Sequence, residues 1–185
     1  MSRPPLAKEK IVDAYASMLC DEGERAATIE ATAARAGVSK GGLLYHFASK
    51  EALAQAVIEG LLQAHADDLE RMSASPEGAS RYFVRTSTVI GSDLDRYFLA
   101  VLRLAQSGHE PSIEALEKVH AGWLDLIHVE VKDKYVAETI MLIGEGLYYQ
   151  TSMPGPWSKG TFAKDLEHLL IQVERLRNGN QAPCH

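Results

Sequence analysis

Several side chains able to donate to nucleic-acid oxygens fall within one short run. Residues 37–51 read GVSKGGLLYHFASKE and contain Lys40, Tyr45, His46 and Lys50. A lysine at position 40 can donate to a guanine edge or to a phosphate. Tyr45 offers a hydroxyl for phosphate and a ring for thymine methyls. His46 has two ring nitrogens for phosphate; packing against the first helix is the alternative use for both rings. Lys50, beside a helix start with unpaired N–H groups, suits a phosphate clamp. Leu43 and Phe47, four apart, read as core anchors. Leu44 points toward DNA or solvent, where it meets methyl groups but cannot bond a phosphate.

Those groups need a frame. The preceding stretch, TIEATAARA (28–36), has a helical pattern with Thr28 as its N-cap. Gly37 suits the left-handed conformation that ends one helix and leads into the next. Val38 plugs the turn, and Ser39 can cap the following helix, 40–47, through its side-chain oxygen. Together these describe a helix-turn-helix, which lays its second helix in the major groove. Thr28 can also offer a hydroxyl and backbone donors to a phosphate. Gly41 and Gly42 each lower helix stability by roughly 1 kcal/mol relative to Ala. Close approach of the backbone to DNA is one reason for them; plain helix flexibility is the other.

At Thr28, Ala33, Ala36, Gly37, Val38, Ser39, Gly41, Leu43, His46, Phe47, Lys50 and Leu53 the chain resembles the tetracycline-repressor (TetR) family of bacterial transcriptional regulators. The specific resemblance covers roughly residues 8–60. It departs at Leu44, where the family usually carries Tyr, so no phosphate contact is carried over to that position. It departs again at Thr32, where the family prefers an aliphatic residue. The resemblance implies an all-α fold: a three-helix head and a larger helical body that binds a ligand and dimerises.

Composition fits a soluble globular chain of 185 residues. No apolar run approaches the ~20 residues needed to span a bilayer, and MSRPPLAKEK is not a secretory signal. Cytoplasmic residence without a membrane partner is expected. Cys20 and Cys184 give no disulfide framework, and Cys184–His185 alone is too few ligands for a metal. The net charge of −6 is uneven. Residues 1–50 hold seven Lys/Arg and six Asp/Glu, the remainder twelve and nineteen. A near-neutral head on an acidic body suits a protein that presents one end to DNA.

Periodicity and punctuation predict nine helices: 6–21, 28–36, 40–47, 49–72, 75–90, 94–106, 112–129, 133–151 and 158–176. Residues 1–50 are expected to form the DNA-binding domain, 51–177 the ligand and dimerisation domain, and 178–185 a disordered tail. Aromatic, Met and polar positions on three helices suggest a small-molecule pocket: Tyr97, Leu102, His120, Trp123, Leu124, Ile127, Met141, Glu145, Tyr148 and Tyr149. Simple core packing is the alternative. Glu145, between Gly144 and Gly146, could bind a ligand cation, form a buried pair or face solvent. Gly144 with Phe162, Leu166, Leu169, Leu170 and Val173 is assigned to a dimer seam, an arrangement that the resemblance implies and periodicity permits.

His120 and His128 are too far apart on one helix for a metal pair, and no cofactor is implied. No nucleophile–base–acid set and no phosphate-cradling loop occurs. The expected function is a homodimeric DNA-binding regulator on a palindromic double-stranded operator, released by an aromatic or lipophilic effector that could carry positive charge. The rivals are a helical enzyme or interaction module that kept the motif as packing, and a regulator without a ligand.

Overall fold

A computed structural model describes residues 7–152 and 165–179. Among these residues there are nine helices and no strand. They are α1 (Ala7–Glu22), α2 (Ile29–Ala36), α3 (Lys40–His46), α4 (Lys50–Ser73), α5 (Ala79–Thr86), α6 (Asp93–Gln106), α7 (Glu110–Val131), α8 (Lys134–Ser152) and α9 (Leu166–Gly179). Asn178 and Gly179, expected in the tail, close α9. Residues 153–164 and 180–185, with Trp157, Phe162 and Cys184, lie outside the described residues.

The chain forms two compact units, divided within α4 after His65 and within α7 after Lys118. The first holds α1–α3, the first part of α4, α6 and the start of α7. The boundary expected at residue 50 falls inside it. Ile11, Tyr15 and Leu19 of α1, Leu43 of α3 and Leu53, Val57 and Leu61 of α4 are fully buried. Polar ties join α1 to α6. Asp13 accepts from Arg96 at 3.1 Å and from the Tyr97 hydroxyl at 3.2 Å. The Tyr97 ring lies on Gly60, where a Cβ would come within 2.9 Å of it. The Cys20 thiol donates to the Arg96 carbonyl, and burial raises its pKa above the ordinary thiol value. Thr32, the polar departure noted in the sequence, is fully buried with its hydroxyl 3.8 Å from the Met18 sulfur.

The second unit holds the rest of α4, α5, the rest of α7, α8 and α9. Met72, Phe83, Val84, Ile127, Ile140, Met141, Leu147, Leu170 and Val173 form its core. Helix α5 is shorter than its sequence suggests, at both ends. The Gly78 amide donates to the Ser75 carbonyl at 3.1 Å, so Pro76 sits in a turn and not at a helix start. At the other end, the hydroxyls of Thr86, Ser87 and Thr88 donate to the carbonyls of Tyr82, Phe83 and Arg85. Gly91, at φ +84°, then turns the chain.

Helix α5 is capped from a distance. The Glu130 carboxylate on α7 accepts from the Ser80 amide at 2.8 Å and from its hydroxyl, filling the role of an N-cap side chain. Arg177 on α9 donates to that carboxylate at 3.0 Å and to the Glu77 carbonyl at 3.1 Å. Gly78, at φ +86°, leaves room for this tie; a Cβ there would overlap the Glu130 carboxylate. Gly78→Ala should therefore cost at least about 2 kcal/mol, from backbone strain and overpacking together. The control is Gly91→Ala, with the same sign of φ and open space around it. Denaturant titration should show a much smaller loss for the control.

Candidate nucleic-acid interface

The turn between α2 and α3 is built as the residue types require. Thr28 caps α2 by accepting from the Ala31 amide at 3.1 Å. Gly37 adopts φ +69°, and the Val38 amide returns to the Ala33 carbonyl at 3.0 Å. Ser39 caps α3 by accepting from the Gly42 amide at 3.0 Å. A Cβ on Gly42 would stand 3.2 Å from the Ser39 hydroxyl oxygen, so this glycine accommodates the cap. A Cβ on Gly41 would meet nothing closer than 4.0 Å, so that glycine leaves an open face.

Two side chains fix the orientation of α3. Leu43 is fully buried and Phe47 nearly so, with the Lys8 ammonium 5.8 Å from the Phe47 ring centroid. The opposite face is therefore outside. Tyr45 is 86 % exposed, which removes the alternative that it packs on α1. The exposed His46 ring meets Tyr45 edge-on at 5.2 Å. Leu44 and Lys40 are also exposed.

The lysines are engaged within the chain. Lys40 pairs with Glu30 at 2.5 Å, and this ammonium holds the Glu30 carboxyl below the ordinary carboxylate range. Lys50 donates to the Glu24 carbonyl at 2.8 Å and to its carboxylate. Sequence reasoning had not singled out Glu24 or Glu30. Glu30 lies ten residues from its lysine across the turn, and no short-range rule connects them.

The expected ligand residues divide between the two units. Tyr97 and Leu102 belong to the first unit, and burial with the nearby Asp13 charge raises the Tyr97 phenol above its ordinary value. The other eight belong to the second. There the Trp123 indole donates to Asp68 at 2.9 Å, and the Tyr82 hydroxyl donates to the same carboxylate at 2.8 Å. Burial raises the Tyr82 phenol despite the neighbouring Arg71. The Trp123 ring lies 5.6 Å from Phe83 and 6.1 Å from His120. His120 faces Glu145 at 3.4 Å, both half-exposed, so Glu145 is paired within the chain and not isolated. Ile127 and Met141 are buried in the core, with Leu124 packed against it. Tyr148 is half-buried, whereas Tyr149 turns outward.

Asp68 was missed, though its signal was present. It stands three residues from His65, four from Met72 and seven from Leu61, on the buried stripe of α4. A carboxylate there must find donors. Among the described residues, no group of three His, Cys, Asp or Glu side chains is placed to hold a metal ion.

The residues assigned to a dimer seam are engaged within the chain, Phe162 lying outside the described residues. Leu170 and Val173 are fully buried in the protomer's own core, and Leu166 and Leu169 pack against it. Gly144 admits the Phe83 ring of α5, so its close contact lies within the chain. The outward face of α8 instead carries Tyr135, Thr139, Leu142, Gly146 and Tyr149, and α9 exposes Ile171.

An anchored, capped second helix with an exposed polar edge defines a helix-turn-helix DNA-binding regulator. Residues 11–57 match the family model described as bacterial regulatory proteins, tetR family. The HTH-type transcriptional regulator BetI of Klebsiella pneumoniae (strain 342) is 26% identical over 179 residues, covering 91% of this chain and 89% of that protein. The A-factor receptor protein of Streptomyces griseus is 53% identical over 49 residues, 26% of this chain and 18% of that one. Among solved structures, the multidrug binding protein EbrR complexed with malachite green has a TM-score of 0.64 at 22% identity, covering 93% and 98% of the two chains. A TetR-like transcriptional regulator from Rhodococcus sp. RHA1 also has a TM-score of 0.64, at 17% identity with coverage of 98% and 100%. The match to the tetR family of bacterial regulatory proteins thus covers the head, residues 11–57, and the likeness to an HTH-type transcriptional regulator extends over most of the chain.

Stability and contact should separate cleanly on α3. Ser39→Ala should cost about 1 kcal/mol, and Phe47→Ala about 3–5 kcal/mol. Tyr45→Ala should leave the denaturation midpoint within error.

Proposed function

We propose that the protein is a cytoplasmic homodimeric repressor, released from a palindromic operator by a small effector. The observation that carries this is the α3 edge, where Tyr45, His46 and Lys40 face outward from the Leu43–Phe47 anchor. Tyr45, His46 and Lys40 would meet base edges and phosphates, while Thr28, Ser39, Gly41, Gly42 and Lys50 would hold the flanking backbone. Two heads must match successive major grooves, about 34 Å apart. Residues 1–50 would supply those contacts and residues 51–177 the assembly and effector functions.

The outward stripe of α8 with Ile171 supports a second copy as the partner, since Gly146 has open space where a Cβ would stand. The effector reading rests on Trp123 and its neighbours. The indole, the Phe83 and His120 rings, and the carboxylates of Asp68 and Glu145 favour an aromatic or lipophilic compound, with tolerance for positive charge. EbrR, of the same fold, was solved with malachite green, and an effector of that bulk fits this reading. Release would draw on the effector's differential affinity for two head spacings.

Selection of bound sequences from random DNA tests the DNA part, and should yield a two-fold symmetric site. On that site Tyr45→Ala and Lys50→Ala should weaken binding, Lys50→Ala also flattening the salt dependence by about one phosphate contact. Leu142→Glu should sediment as a monomer and lose the symmetric footprint. Full affinity in all three variants would refute the assignment.

The effector part has its own readout. In a Trp157→Phe background, a compound that releases the operator should quench Trp123 fluorescence. Release without any change in that signal, retained in Trp123→Ala, would place the site elsewhere.

A further inference from the structure

We propose that Glu24 and Glu30 restrain the binding of DNA by this head, whatever its sequence. They hold Lys50 and Lys40 against the head until DNA phosphates replace them. The proposal rests on the DNA-facing reading of α3. Each cation between residues 35 and 50 has an acidic partner. Arg35 is divided between Asp21 at 2.8 Å and Glu22 at 2.7 Å. Lys40 is on Glu30 and Lys50 on Glu24.

Lys40 and Glu30 are mostly exposed, so water can serve them instead. Lys50 and Glu24 are half-buried, and Lys50 keeps its bond to the Glu24 carbonyl when the carboxylate is neutralised. Glu30 already gains from its place in the first turn of α2, where negative charge is favoured. A carboxylate beside a DNA-facing lysine has a cost, however. It must be displaced before the lysine meets a phosphate, and it then repels that phosphate.

The cost falls on operator and arbitrary DNA alike. Binding to arbitrary sequence comes almost wholly from phosphate charge, so it depends on the freed lysines. Binding to the operator adds base contacts from Tyr45 and His46, which need no ion pair broken. The operator complex uses the same lysines, so the carboxylates lower both kinds of binding by a similar factor. They also blunt salt dependence, because a carboxylate released from its lysine recaptures a cation as DNA sheds one.

The test compares the full-length protein with Glu24→Gln, Glu30→Gln and the double variant. The probes are the duplex that wild type selects from a random pool and a random-sequence duplex of equal length. The double variant should bind both duplexes about tenfold tighter, since each pair contributes a factor of about 1.5 to 5. The slope of log K against log salt should steepen by about one per lysine freed. Introduced into a Lys40→Ala background, Glu30→Gln should have little effect. Thermal melting confirms that each variant is folded, and the Glu30 cycle carries the test if Glu24→Gln melts early.

Equal affinities and slopes across the series would overturn the proposal. So would an undiminished effect of Glu30→Gln without Lys40. Weaker operator binding by Glu24→Gln would overturn it too, by making Glu24 a positioning partner for Lys50. If wild type bound neither duplex, the DNA-facing reading would fall, and this proposal with it.

Discussion

A helix of seven residues with two adjacent glycines cannot be held by its own hydrogen bonds. Nucleation is costly, and each glycine adds roughly 1 kcal/mol against the helix. Everything that α3 presents to the outside depends on interactions that compensate for this. Ser39 supplies an acceptor at the first turn, and the Phe47 amide closes on the Leu43 carbonyl. Burial of Leu43 and Phe47 contributes roughly 1.5–3 kcal/mol each. Because the anchors leave a single orientation, the exposed ring of Tyr45 is displayed by packing that it takes no part in.

The second unit uses one buried and one half-buried carboxylate as fasteners. Glu130 joins the start of α5 to α7 and α9, and Asp68 gathers the hydroxyl of Tyr82 with the indole of Trp123. Each carboxylate has donors on both oxygens, which is the condition for burying a charge without a large penalty. Removing one donor is then worse than never having the pair, since the remaining charge stays desolvated. This distinguishes them from the surface pairs around α3, where water can take the place of a lost partner.

Helix order, the motif and its outward face were legible because their signals are local. Gly37, Ser39 and the Leu43–Phe47 spacing each state a rule that holds within one turn of chain. The start of α5 was not legible. Ser-Pro opens a turn as readily as a helix, and what chose was the Glu130 carboxylate, fifty residues away. Nor could periodicity tell an inward apolar stripe from an outward one. Leu169, Leu170 and Val173 have the spacing of a seam, yet they face their own core, while α8 exposes Tyr135, Leu142 and Tyr149 among small residues. Ion pairs were the least readable, since Lys40–Glu30 and His120–Glu145 join positions that only the fold brings close.

The polar and apolar contact between α1 and α6 bears on how such a protein can be cut and rejoined. The first unit is discontinuous in the chain: it needs the segment from Ser92 to Lys118 as well as the one ending at His65. A graft that transplants only residues 1–50 onto a foreign sensor would leave Asp13 without Arg96 and Tyr97. It would also uncover the face of α1 that α6 covers. Crossover points for hybrid regulators therefore have to respect two separated segments, and a working exchange of heads must carry α6 along or supply a surface of the same shape.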